Sequence, residues 1–126
     1  MRAAGELEAN ARAARDGGVT WTKVEDVPEL PCPSCMASVL RYSFDDAGGR
    51  GRVLFSGPYG AKRAAGTISL STDDGATWPV RKELWPGAFA YSVLTRLPDG
   101  TVGCLFEADG YARIVFARFP ISWLEK

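Results

Sequence analysis

Short runs rich in Val, Ile, Leu, Phe, Tyr and Thr recur along the chain, each closed by glycine, proline or aspartate, which is how an antiparallel β protein is spelled. The alternation predicts strands at Thr20–Val24, Ala37–Phe44, Arg52–Ser56, Gly66–Ser71, Trp78–Glu83, Tyr91–Leu97, Thr101–Glu107 and Ala112–Phe119. Turn signals separate them: Asp45-Asp46-Ala47-Gly48-Gly49, Asp73-Asp74-Gly75, Pro98-Asp99-Gly100 and Ala108-Asp109-Gly110. The clearest hairpin is Leu97-Pro98-Asp99-Gly100-Thr101, where proline presets one turn angle and glycine supplies a positive φ. One segment departs from the β pattern. Glu6–Arg15 is Ala-rich and lacks β-branched residues, so local propensity there favours helix, although an unpaired chain start has the same composition.

An internal repeat sharpens the picture. Asp16-Gly17-Gly18-Val19-Thr20-Trp21 returns as Asp73-Asp74-Gly75-Ala76-Thr77-Trp78, with the second aspartate 57 residues after the first. That spacing suits one propeller blade of about 40 to 50 residues plus an elaborated loop, each blade being a four-stranded antiparallel sheet. The second copy, Ser71 to Trp78, carries the full pattern SxDxGxTW; the first has Ala14 in place of the serine. The expected physics is a compact turn. The aspartate bonds nearby backbone amides, the glycine takes a conformation other residues avoid, and the tryptophan ring packs beneath. Ser71, Asp73, Gly75 and Trp78, with Asp16, Gly18 and Trp21, are therefore structural candidates and not catalysts.

Composition removes several classes of function. At 126 residues, 24% charged and 46% hydrophobic, with 15 basic against 15 acidic side chains, the chain reads as one soluble globular unit. A net charge of zero offers no field to gather nucleic acid. The first 15 residues lack the apolar core of a secretory signal, and no apolar run reaches the ~20 residues of a membrane span. A secreted parent protein stays open. Cys32-Pro33-Ser34-Cys35 is a lone CxxC in a chain with three cysteines and no histidine, so no metal or other cofactor is expected, and buried free thiols are the plain reading.

Beyond the repeat, three segments resemble bacterial sialidases in order and spacing. Ser56–Gly66, SGPYGAKRAAG, is similar to the segment in which that family sets an arginine three residues before Gly-Thr, here Arg63 before Gly66-Thr67. Ala90-Tyr91-Ser92-Val93-Leu94 resembles the family's YSxL, and Gly103-Cys104-Leu105-Phe106-Glu107 its G-x-L-Y-E, followed by Ile114–Leu124 as a closing strand. Met1-Arg2 is similar to the family's N-x-R segment without its asparagine. The resemblance implies an all-β fold of four-stranded antiparallel blades from a six-bladed sialidase-type propeller. Residues 1–126 would be its C-terminal part, two to three blades, with the N-terminal blades missing.

The resemblance also assigns roles. Sialidases hold the carboxylate of sialic acid with three arginines, a task suited to guanidinium because its planar fork donates two parallel hydrogen bonds and keeps its charge. Arg63 would be one of the three and Arg2 another. Tyr91 would be the nucleophile, an exception to the usual carboxylate pair of glycosidases, and Glu107 would support the site by orienting a further arginine. A neutral oxygen nucleophile suits an anomeric carbon that already bears a carboxylate. A phenol, with an ordinary pKa of about 10, needs a base beside it. The family places that base, the aspartate acid/base and the first arginine upstream of anything present here. The implied reaction is hydrolysis of terminal α-linked sialic acid from a sialylated glycan, with no nucleic acid and no membrane segment involved. The chain alone would then be deficient, needing the missing half or self-association. A non-catalytic Asp-box propeller module and an inactive truncated product are the rival readings.

Overall fold

The computed structural model describes residues 8–46 and 48–126, and it is almost entirely β. Two short strands, β1 (Glu8–Ala11) and β2 (Glu25–Pro31), form an antiparallel pair. Six more follow as a meander in which each strand neighbours the next: β3 (Ser38–Ser43), β4 (Arg52–Pro58), β5 (Ala64–Ser71), β6 (Val80–Arg96), β7 (Val102–Ala108) and β8 (Arg113–Phe119). A five-residue helix, α1 (Ile121–Glu125), ends the chain.

Strand β6 explains how one meander holds parts of two blades. Its first half pairs with β5 from Val80 to Ala88, and its second half pairs with β7 from Phe89 to Arg96, with register breaks on both sides of the change. The first ladder, β3-β4-β5-β6, is a complete four-stranded blade. The second half of β6 with β7 and β8 gives three strands of the next. The β1-β2 pair is a partial blade before them, so the architecture is that of propeller blades, two to three in number.

Burial follows the period of two. On β4, Leu54 enters a core shared with Ile68, Leu70, Phe89, Phe106 and Leu124, while Val53 and Phe55 face a second core with Leu30, Cys32 and Trp78. Both faces of this blade are thus covered, which is why its central strands read as continuous apolar runs. The outer face of the last strands is not. Val93, Leu105 and Phe116 stand side by side in register across β6, β7 and β8 and are all exposed.

Several expectations are corrected here. The segment expected to be helical contains β1; residues 6 and 7 lie outside the described residues, and from Glu8 onward pairing with β2 overrides local propensity. The strand expected at Thr20–Val24 starts only at Glu25, because the first repeat's turn consumes Asp16–Thr20 and Thr22 is held by a backbone bond to the carbonyl of Ala13. Trp78–Glu83 and Tyr91–Leu97 belong to one long strand, continuous because the chain leaves one blade and enters the next without a turn. The expected closing strand Ile114–Leu124 is a strand only to Phe119; after Pro120 the chain turns helical, burying Leu124 in the main core and packing the Trp123 ring at a tilt against Phe119, centroids 4.9 Å apart.

Two glycines of the resemblance have steric reasons. A Cβ on Gly66 would stand 2.1 Å from the Phe89 ring, and one on Gly103 would stand 2.6 Å from Phe116. Phe89 is fully buried, so a larger residue at Gly66 would displace the core, whereas at Gly103 the exposed Phe116 ring would have to swing aside.

Candidate functional site

The junction between the two blades is where the candidate residues meet. Arg63 sits at the end of the β4–β5 loop, and its carbonyl accepts the N–H of Phe89 at 2.9 Å, tying that loop to the midpoint of β6. Two residues later comes Tyr91, 42% exposed, in the bulge where β6 changes partner. The Arg63 guanidinium lies over the Tyr91 ring, 5.4 Å from its centroid. From β7, Glu107 Oε2 accepts the Tyr91 backbone N–H at 3.1 Å. A phenol, a guanidinium and a carboxylate separated by up to 44 residues in sequence thus share one patch.

Buried hydroxyls hold the floor rigid. Ser56 Oγ and Ser92 Oγ are 2.8 Å apart, and Ser38 Oγ accepts the Leu94 N–H at 3.0 Å. These bonds tie the second half of β6 to β3 and β4, fixing Tyr91 relative to Arg63. Ser92 is the serine of the YSxL segment, so its presence beside the tyrosine has a structural reason.

Arg63 is the most constrained charge in the patch. Nη1 donates to Tyr111 Oη at 2.9 Å and Nη2 donates to the Ser34 carbonyl at 2.7 Å. The tyrosine bond is the main reason the guanidinium is held above its already high ordinary pKa, so it stays cationic at any pH of interest. Cys35, beside it, is pushed up chiefly by burial, with Arg63 pulling the other way and Glu107 adding to the rise. It is a neutral thiol. Cys104, in the core below, is pushed up to about 12 by burial and is inert.

Arg2 lies outside the described residues. Glu107, expected to orient a further arginine, accepts the backbone N–H of Tyr91. None of the seven Asp-box residues lines this patch; they build two turns. Tyr111, Ser34, Cys35 and Met36 border the patch and were not singled out for it in the sequence. Only two weak signals pointed there: the CxxC loop, read as free thiols, and the Asp109-Gly110 turn that delivers Tyr111.

No protein-family model matches the chain. A sialidase of Micromonospora viridifaciens is 42% identical over 113 residues, covering 86% of this chain and 17% of that protein. Among solved structures, the Hadza microbial sialidase Hz136 superposes with a TM-score of 0.72 at 35% identity, over 90% of this chain and 23% of that one. The chain belongs to the sialidase family. An intramolecular trans-sialidase from Ruminococcus gnavus, solved with oseltamivir carboxylate, covers 97% of this sialidase-family chain and 30% of its own, with a TM-score of 0.77 at 25% identity. The blades described above are accordingly blades of a sialidase β-propeller, and the chain spans less than a third of the length of each of these relatives. No helix among the described residues is long and apolar enough to cross a membrane.

Proposed function

We propose that this chain is the C-terminal portion of an exo-α-sialidase, supplying the nucleophile side of a site that cleaves terminal α-linked sialic acid from glycans. The observation that carries the reading is the stack of Arg63 over Tyr91, with Glu107 bonded to the same tyrosine's backbone. Arg63 binds the sugar carboxylate. Two of its five N–H groups are engaged, leaving three for a charge-assisted pair. The Tyr91 oxygen attacks the anomeric carbon as the glycosidic bond breaks, and the aglycone oxygen takes a proton from an acid. Water then enters from the face the aglycone left and displaces the tyrosyl oxygen, whose proton is restored as the water gives one up, and the two inversions give net retention.

The base for the phenol, the acid and further arginines come from other blades of the same propeller. In support, the chain spans only 17 to 30% of the relatives above, and the exposed face of Val93, Leu105 and Phe116 is suited to a neighbouring blade. Taken alone, the chain is inert in hydrolysis. Losing acid and base removes roughly two to four powers of ten each, although such losses do not simply add.

A chimera tests this directly. The part of this chain that matches the Micromonospora viridifaciens sialidase replaces its counterpart there, and release of a fluorescent aglycone from a sialoside is measured. Expected is turnover that Tyr91→Phe lowers by roughly a thousandfold or more and Arg63→Ala lowers mainly through KM. A folded chimera without turnover would leave a scaffold module as the better reading.

A further inference from the structure

We infer that Tyr111 is a positioning residue for the carboxylate-binding guanidinium, an assignment that rests on the role proposed for Arg63. The β7–β8 turn is built in an unusual way to bring it there. Asp109, Gly110 and Tyr111 have φ values of +53°, +63° and +72° in succession. Glycine adopts such angles freely, but a bulky aromatic residue does so at a steric cost, and strain of this kind persists only where the surroundings enforce it. The ring gains little from burial, being 59% exposed. What the strained conformation achieves is one contact: the phenolic oxygen accepts from Arg63 Nη1 at 2.9 Å.

That contact completes a clamp. Nη2 is fixed by the Ser34 carbonyl and the Arg63 backbone by Phe89, so the tyrosine bond removes the remaining freedom of the fork to rotate. The clamp is also neutral. Among the described residues no carboxylate lies within ion-pairing distance of Arg63, and its acceptors are a hydroxyl and a peptide oxygen. An aspartate or glutamate in place of Tyr111 would orient the guanidinium equally well but cancel the charge that an incoming anion requires. A phenol orients it and leaves its charge available.

The test uses the isotope-labelled 126-residue chain, N-acetylneuraminic acid as the probe, its methyl ester as the uncharged control, and the Arg63 Nε–Hε signal in NMR. In the wild type the guanidinium is ordered and the acid, not the ester, shifts the signal. Tyr111→Phe keeps the ring and the turn; it is expected to free rotation of the Arg63 guanidinium and to weaken binding about three- to tenfold, a change of under 1.4 kcal/mol. Tyr111→Glu is expected to keep the guanidinium ordered yet abolish binding. Tyr111→Gly is expected to bind as weakly as the phenylalanine variant while melting no lower than the wild type, because glycine relieves the strain; a purely structural tyrosine would give the opposite.

Unchanged Arg63 order in Tyr111→Phe overturns the inference. So does full affinity in Tyr111→Phe when Arg63→Lys has lost it, a result that would leave the proposed function standing. Absence of any binding by the wild type would mean that the arginines of other blades are needed to hold the acid, and the ordering of Arg63 in the wild type and in Tyr111→Phe then decides the part played by Tyr111.

Discussion

The two Asp-box turns are near copies in sequence and differ in what surrounds them. In the second, Ser71 Oγ donates to Asp73 Oδ1 at 2.7 Å and accepts the Gly75 N–H at 2.8 Å, while Asp73 accepts from the Thr77 N–H at 2.8 Å and its hydroxyl at 2.6 Å. In the first, Asp16 accepts from the Thr20 N–H at 3.0 Å and its hydroxyl at 2.5 Å, but Ala14 supplies no counterpart to Ser71. Backbone angles agree closely: Gly18 and Gly75 have φ of +91° and +89°. A Cβ at either glycine would meet Cζ2 of the tryptophan below, at 3.5 and 3.6 Å. Local sequence therefore builds the same turn twice.

The tryptophans part company. Trp78 is 5% exposed, set edge-on against Phe55, and its backbone N–H donates to Glu29 Oε2 from β2 at 2.8 Å. Trp21 is 53% exposed, with Arg12 over its ring and its indole N–H bonded to Gly18. The cause lies one strand away. The strand leading into the second box, β5, has β4 beyond it to supply Phe55, whereas β1 is paired among the described residues only with β2. A turn motif makes its own hydrogen bonds, but only a neighbouring strand buries its tryptophan.

The strongest way to break the comparison is to truncate both rings. Trp78→Ala is expected to cost about 3–5 kcal/mol and to unfold a large part of the protein, whereas Trp21→Ala is expected to cost about 1 kcal/mol or less, as read by chemical denaturation. Equal losses would mean that the first box is buried in solution by self-association.

Acid gives the next largest effect. The Thr77 side chain and backbone and the Ser71 hydroxyl hold the Asp73 carboxyl down to about 2 from its ordinary 3.8. Because the folded value is depressed, this carboxylate contributes stability above pH 3.8 that is lost as pH falls through about 2. Asp16 is lowered as well, with the Thr20 side chain as the main cause. Urea midpoints measured from pH 5 to pH 2 should decline, and Asp73→Asn should flatten that decline more than Asp16→Asn, since the second box is built into the main fold. A steeper dependence on Asp16 would reverse the ranking of the two turns.

The smallest expected effect sharpens the comparison. Ala14→Ser completes the first box and should add about 0.5–1 kcal/mol of local stability through one new hydrogen-bonded hydroxyl. It would appear as slower amide exchange across Asp16–Trp21, with the global unfolding midpoint almost unmoved.

Much of the architecture was legible because it is written with short-range signals. Pro98-Asp99-Gly100 makes its hairpin as expected, with Gly100 N–H bonded to the Leu97 carbonyl at 2.9 Å and φ at +83°. The centres of β3, β4, β5, β7 and β8 fall where alternation put them. The failures occur where partners are remote: β1, made a strand by pairing against its propensity, and β6, whose continuity depends on two different neighbours. The site divides in the same manner. Arg63, Tyr91 and Glu107 were visible because each stands in a segment that resembles one of the family's. Tyr111 and Ser34 were not, since nothing near them in sequence marks the guanidinium they hold.

The sequence by itself determined the turns, the strand periodicity and the chemical types present at the candidate site, because those depend on residues within a few positions of one another. Tertiary structure alone decided which tryptophan is buried, which loop clamps Arg63, and that Val93, Leu105 and Phe116 line up in register on one apolar face. Those outcomes depend on which strands lie side by side, and no local signal encodes a neighbour tens of residues away.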